Sequence, residues 1–172
     1  MSIEDYNDRL LSRDEYFEYL KELETLPPEY CAFCDNKGNV TLKDFTFWNL
    51  IVCKAPYWRY HLMLTPKRHF KQFTDMEVKE AEEFLFALQY TTDTLIAAGL
   101  KNSDGTEIDR YLYFWRFRQN SFDPVNNVAK PDHFHFHIVP EKEHLWAPIL
   151  DENACDFDVE QLKSLFIEPQ NL

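Results

Sequence analysis

With 172 residues, 45% hydrophobic and 16% aromatic content and a formal net charge of −12, the chain is long enough for one domain with a real core and too apolar to be disordered. The acidic balance excludes wholesale binding to nucleic acid through phosphates, although a local basic cluster inside an acidic protein can still hold a single phosphate group. No apolar run reaches the ~18 residues that span a bilayer, and the acidic start Met1 to Asp8 lacks the basic and apolar regions of a secretory signal, so a cytoplasmic protein without membrane or nucleic-acid partners is expected.

Residues 1–29 read as an N-terminal helical extension. Ser12-x-x-Glu15 is a capping box, and Tyr16, Leu20 and Leu23 follow at helical spacing with Phe17 and Leu26 beside them. Pro27-Pro28 stops this helix. Cys31-Ala32-Phe33-Cys34 comes next, with Asp35 to Asn39 as a turn behind it. Four cysteines in a chain without a secretory signal suggest metal or free thiols over a disulfide frame. A Cys-x-x-Cys pair is the usual half of a tetrahedral zinc site. Cys53 and Cys155 stand alone, so any such site needs histidines to complete it. The pair has other readings: a redox dithiol, though no strand-then-helix pattern surrounds it; an iron–sulfur ligand pair, though four suitably spaced thiolates are missing; or two inert core cysteines.

Val40–Leu42, Phe45–Cys53 and Tyr60–Thr65 read as strands of an antiparallel meander. Lys67 and Arg68 have two readings, phosphate contacts or an exposed turn. Thr74-x-x-Glu77 is a second capping box, opening the longest helix, which runs through Val78, Phe84, Leu88 and Leu95 to Gly99 at its C′ end. Its aromatic residues are expected in the core. Tyr111 to Asn120 is strongly β-forming; alternation would put Leu112, Phe114, Arg116 and Arg118 on one face, as phosphate contacts or as guards of an edge strand. Asp158 to Phe166 reads as a capped helix ending before Pro169.

The densest chemistry lies in Pro131-Asp132-His133-Phe134-His135-Phe136-His137-Ile138-Val139-Pro140. At strand period the three histidines share one face, about 6.6 Å apart in steps of ~3.3 Å per residue, while Phe134, Phe136 and Ile138 face a core. In a flat strand the outer two imidazoles are roughly 13 Å apart, too wide to hold one metal ion. The run His133-x-His135-x-His137-Ile138-Val139 resembles the signature of the histidine-triad (HIT) superfamily of nucleotide hydrolases and transferases. Tyr60 to His69 resembles that family's strand running into a Pro-Lys-x-His turn, and Cys31-Ala32-Phe33-Cys34 resembles the start of its zinc-containing branch. The landmarks follow the family's order over roughly residues 30 to 145.

The resemblance implies an α+β fold, an antiparallel sheet of about five strands with one long helix packed on it, formed by residues 30–172 behind the extension at 1–29. It implies a homodimer, and a structural zinc completed by His69 and His133 beside Cys31 and Cys34. His61 matches a family histidine at the edge of the active site, and Asn120 lies near a phosphate-contacting asparagine. His135, in the middle of the row, would attack the α-phosphorus of a nucleotide to give a nucleotidyl-histidine, with His137 beside the phosphate. The substrate would be a nucleoside polyphosphate, a phosphoramidate or a nucleotide sugar. The chain departs from the family at Val128-Ala129-Lys130-Pro131-Asp132, where glycines, a glutamine and a serine are usual. Lys130 is a substitute phosphate partner, or else the domain is a zinc-stabilised module that binds nucleotides without turnover.

Overall fold

The computed structural model describes residues 2–27, 30–36, 38–115, 122–123, 128–129, 133–141 and 153–167. A 3-10 turn at Ile3–Tyr6 precedes α1 (Arg13–Glu24). The Ser12 backbone N–H donates to the Glu15 carboxylate at 2.8 Å and the Glu15 N–H to the Ser12 hydroxyl at 3.3 Å, the reciprocal cap expected from the sequence. Tyr6, Leu11, Tyr19 and Leu20 close over one another in a small cluster apart from the main core.

One short helical turn, α2 (Ala32–Asp35), runs through the Cys-x-x-Cys pair, ended by Asn36 in the left-handed region at φ 51°. Then come β1 (Thr41–Asp44), β2 (Trp48–Val52) and β3 (Leu62–Pro66). β2 begins three residues later than its hydrophobic pattern suggests, because the Glu83 carboxylate takes the N–H groups of Thr46 and Phe47 out of the ladder. β3 begins at Leu62 because Tyr60 turns the chain at φ 60°. The meander of these three strands is as expected.

The long helix α3 (Val78–Ala97) starts at Glu77, not Thr74. Residues Phe73–Asp75 form a 3-10 turn instead, and Glu77 N–H donates to the Glu80 carboxylate at 2.7 Å. Gly99 takes φ 57°, the C′ conformation its position predicts. Phe84, Ala87, Thr91 and Leu95 face the sheet, whereas Phe86, expected in the core, is 60% exposed and rests on Phe45 and Tyr90.

After α3 come β4 (Tyr111–Trp115), a small hairpin of β5 (Phe122–Asp123) and β6 (Val128–Ala129), β7 (Phe136–Pro140) and α4 (Val159–Ser164), which is capped by Asp158. The main sheet is antiparallel in the order β1-β2-β3-β7-β4. The last strand is thus inserted between β3 and β4, and all five of its residues are buried. Trp48, Leu50, Leu64, Phe84, Phe134, Phe136, Ile138 and Phe166 meet in one core beneath α3 and α4, in an α+β fold. Among the described residues no helix is long and apolar enough to cross a membrane.

The strand expected from His133 onward begins only at Phe136. Phe134 still faces the core, where its N–H donates to Phe70 O at 2.7 Å and its ring meets Phe70 and Trp48. The backbone at His133–His135 is not part of the ladder, so the evenly spaced row of imidazoles is replaced by three differently held rings.

Candidate active site and metal centre

Phe134, anchored in the core, turns His133 the other way into a buried position. His133 Nε2 lies 2.9 Å from Pro66 O. A carbonyl only accepts, so Nε2 carries the proton and Nδ1 holds the lone pair. That Nδ1 faces Cys31 Sγ at 3.4 Å, Cys34 Sγ at 3.3 Å and His69 Nδ1 at 3.3 Å. Cys34 Sγ is also 3.3 Å from His69 Nδ1. The turn of α2 puts both thiols on one side, and Asn39 braces it by donating to Ala32 O at 3.1 Å.

The four ligand atoms lie within 4.8 Å of one another. A zinc tetrahedron of nitrogen and sulfur donors has edges of about 3.3–3.8 Å, as its bond lengths require. The four separations of 3.3–3.4 Å given above match those edges, and the soft Cys2His2 donor set is the one zinc takes. The site fits a structural zinc, with protein filling all four positions and none left for water.

His135 Nδ1 donates to His133 O at 2.8 Å, so the lone pair of this ring is on Nε2. Phe33, inside the Cys-x-x-Cys turn, stacks on the His135 ring at 5.1 Å and 25°. His137 meets it edge-on at 4.9 Å and 72°. His137 itself stands on β7, opposite Phe114 of β4, whose ring stacks on it at 4.4 Å and 13°.

His61 is fully buried, and its Nε2 lies 2.9 Å from His137 Nδ1. The Tyr57 backbone N–H donates to His61 Nδ1 at 3.2 Å. A donor at Nδ1 places the His61 proton on Nε2, from where it is given to His137 Nδ1. The neutral His137 ring then carries its own proton on Nε2. Two rings in contact therefore have opposite characters: His135 offers a lone pair at Nε2 and His137 an N–H at Nε2. That is a ring lone pair beside a hydrogen-bond donor.

The geometry thus brings together Cys31, Cys34, His69 and His133, and separately His135, His137 and His61. Arg116, Arg118, Asn120 and Lys130 lie outside the described residues. Lys67 and Arg68 are already engaged. Lys67 pairs with Asp44 and Phe45 O, and Arg68 grips the Glu80 carboxylate with two N–H groups at 2.8 and 2.6 Å. Sequence reasoning missed Phe33, Phe114 and Tyr57 as neighbours of the histidines. Phe33 was signalled only by its place between the two cysteines.

No protein-family model matches the sequence, and no curated protein does. Solved structures match in shape. A HIT-like protein involved in cell-cycle regulation from Bartonella henselae superposes with a TM-score of 0.54 at 15% identity, over 78% of this chain and 92% of that one. The chain has the HIT fold. A zinc-bound histidine-triad family protein from Mycobacterium smegmatis shares the fold at a TM-score of 0.51 and 17% identity, over 79% of this chain and 92% of that one. An ADP-glucose phosphorylase from Arabidopsis thaliana, solved with ADP-glucose bound, gives 0.59 at 12% identity, over 91% of this chain but 49% of that one. This chain carries the HIT fold together with a Cys-x-x-Cys metal centre.

Proposed function

We propose that the protein is a nucleotide hydrolase or nucleotidyl transferase that works through a nucleotidyl-His135 intermediate. One observation carries the reading: His135 is held by a backbone carbonyl with its lone pair at Nε2, beside the N–H of His137. The Nε2 lone pair would form a bond to the α-phosphorus. The bond to the leaving group breaks and its electron pair departs with that group. The His137 N–H would stabilise the charge that builds on the phosphoryl or leaving-group oxygen. Water, or an acceptor phosphate in a transferase, then bonds to phosphorus, and the N–P pair returns to His135. Water's protons pass to solvent.

The substrate class is a nucleoside polyphosphate, a phosphoramidate or a nucleotide sugar, in keeping with the ADP-glucose held by the Arabidopsis neighbour. Arg116, Arg118, Asn120 and Lys130 are proposed as its phosphate contacts. Residues 1–29 are proposed as an extension appended to a catalytic domain at 30–172. A homodimer is proposed, for which sedimentation equilibrium should return the mass of two 20.7 kDa chains; a single-chain mass rejects it.

The test of the chemistry is to mix the protein with nucleotide labelled at the α-phosphate and quench in alkali, where a phosphoramidate bond survives, or in acid, where it does not. Wild type should retain label in alkali only. His135→Ala should retain none and lose turnover, with nucleotide affinity within about tenfold, or ~1.4 kcal/mol. His137→Ala should slow labelling without abolishing it. The departure from the family at Val128 to Asp132 favours a second reading, a zinc-stabilised nucleotide-binding module. Wild type that binds nucleotides of all three classes but never becomes labelled would establish that module and remove the enzyme.

A further inference from the structure

The N-terminal extension touches the histidines through a chain of contacts that begins at Arg13. This residue is the first of α1, directly after the Ser12 cap. Its guanidinium donates to two successive carbonyls, Ala55 O at 3.3 Å and Pro56 O at 3.2 Å, and lies over the Tyr57 ring at 5.0 Å. A planar fork with an apolar face can make both contacts at once, which a lysine ammonium cannot. The segment it grips is the connection between β2 and β3. That connection supplies the Tyr57 backbone N–H that meets His61 Nδ1, and the Tyr57 ring stacks on the His61 ring at 5.1 Å and 22°.

We propose that Arg13 is a positioning residue: by holding the Ala55–Tyr57 backbone it keeps the Tyr57 N–H on His61, and so fixes which nitrogen of His137 carries the proton. The proposal rests on the role given above to His137. A neutral imidazole holds one proton, and a donor facing one nitrogen forces that proton to the other. If the Tyr57 N–H moved away, the constraint it places on the His61 proton would be removed, and with it the order that His61 imposes on His137.

The rest of the extension holds the same segment from other sides. Leu11 N–H donates to Lys54 O at 2.7 Å, and Lys54 Nζ donates to Tyr6 O at 2.7 Å. The backbone of α1 also runs alongside β6, on the approach to the histidines. The extension is thereby attached at both the relay connection and the approach to the triad.

The test uses the full-length, zinc-loaded protein with 15N-labelled histidine. Long-range proton–nitrogen correlation reads which ring nitrogen is protonated at His61 and at His137, and needs no turnover. Wild type should show the proton on Nε2 of both rings. Arg13→Ala should show mixed protonation at His61, with labelling of His135 slowed about tenfold at unchanged KM and zinc content. Arg13→Lys, which keeps the charge and one donor, should fall between and serves if Arg13→Ala does not fold. Ser12→Ala weakens α1 at its cap without touching the connection, and should leave both rings as in wild type. Wild-type protonation patterns in both Arg13 variants, or equal disturbance by Ser12→Ala, would overturn the proposal. Absence of labelling in wild type would instead overturn the enzyme reading, leaving the ring-nitrogen comparison to decide Arg13.

Discussion

Among the described residues, His135 meets the His133 carbonyl at Nδ1, the Phe33 face and the His137 edge. In the proposed reaction, a ring so fixed needs little reordering before attack. Phe33 sits between two metal ligands, so the same turn that holds zinc also presses a ring on His135. Phe33→Ala should slow labelling of His135 about tenfold, or ~1.4 kcal/mol in barrier, with zinc content unchanged. Rapid-quench kinetics with parallel metal analysis measures both. An unaltered rate would show that the carbonyl and His137 suffice. Arg68 illustrates the opposite fate of a candidate residue. Its two-pronged grip on the buried Glu80 carboxylate holds that carboxyl below its usual value, and ties the turn after β3 to the start of α3.

Among the elements, α1 depends on Lys54. This buried lysine donates to Tyr6 O at 2.7 Å and Gly38 O at 2.5 Å and lies over the Tyr19 ring at 5.3 Å. Burial pushes its ammonium down from the usual 10.5 to about 8. The unfolded chain keeps the proton up to pH 10.5, so between about 8 and 10.5 it binds more protons than the folded chain, and stability from this group rises with pH. Tyr6 and Tyr19 are shifted upward by burial and act in the opposite sense above pH 10. The comparison with Lys54→Met isolates the lysine. In urea titrations the wild type should gain on the variant by about 2 kcal/mol between pH 8 and 10. A gap that stays constant or narrows over that range would mean that the two carbonyls and the ring keep the ammonium charged.

For the molecule as a whole, the metal centre joins three distant parts of the chain: α2, the turn after β3 and the approach to β7. Cys31 and His133 are 102 residues apart, so a bridge between them closes a long loop in the unfolded chain. The same His133 whose Nδ1 faces the thiols offers the carbonyl that orients His135. Removing zinc with a chelator should lower the melting temperature and suppress His135 labelling together, and Cys34→Ser should do both while losing the metal. Zinc content, calorimetry and labelling on the same samples decide it. Labelling lost at an unchanged melting temperature would assign the metal a chemical role in place of a structural one.

Local signals were readable from the chain alone. The cap at Ser12, the left-handed Gly99 and the cap at Asp158 each act over a turn of helix, so the sequence specifies them directly. The meander of β1 to β3 followed from short connections, and the Cys-x-x-Cys pair announced half of a metal site before any fold was known. The helix start at Glu77 was misread because Glu80, held by Arg68 twelve residues away, competes with the Thr74 box. The insertion of β7 between β3 and β4 was not readable, since strand pairing across the chain leaves no local mark. That pairing decides the chemistry. It sets His61 against His137, Phe114 over His137 and His133 among the thiols, and so determines which ring nitrogen holds each proton. The sequence determined which imidazoles were available. Only the packing of distant strands, through single carbonyls and N–H groups, determined which of them is a base and which a donor.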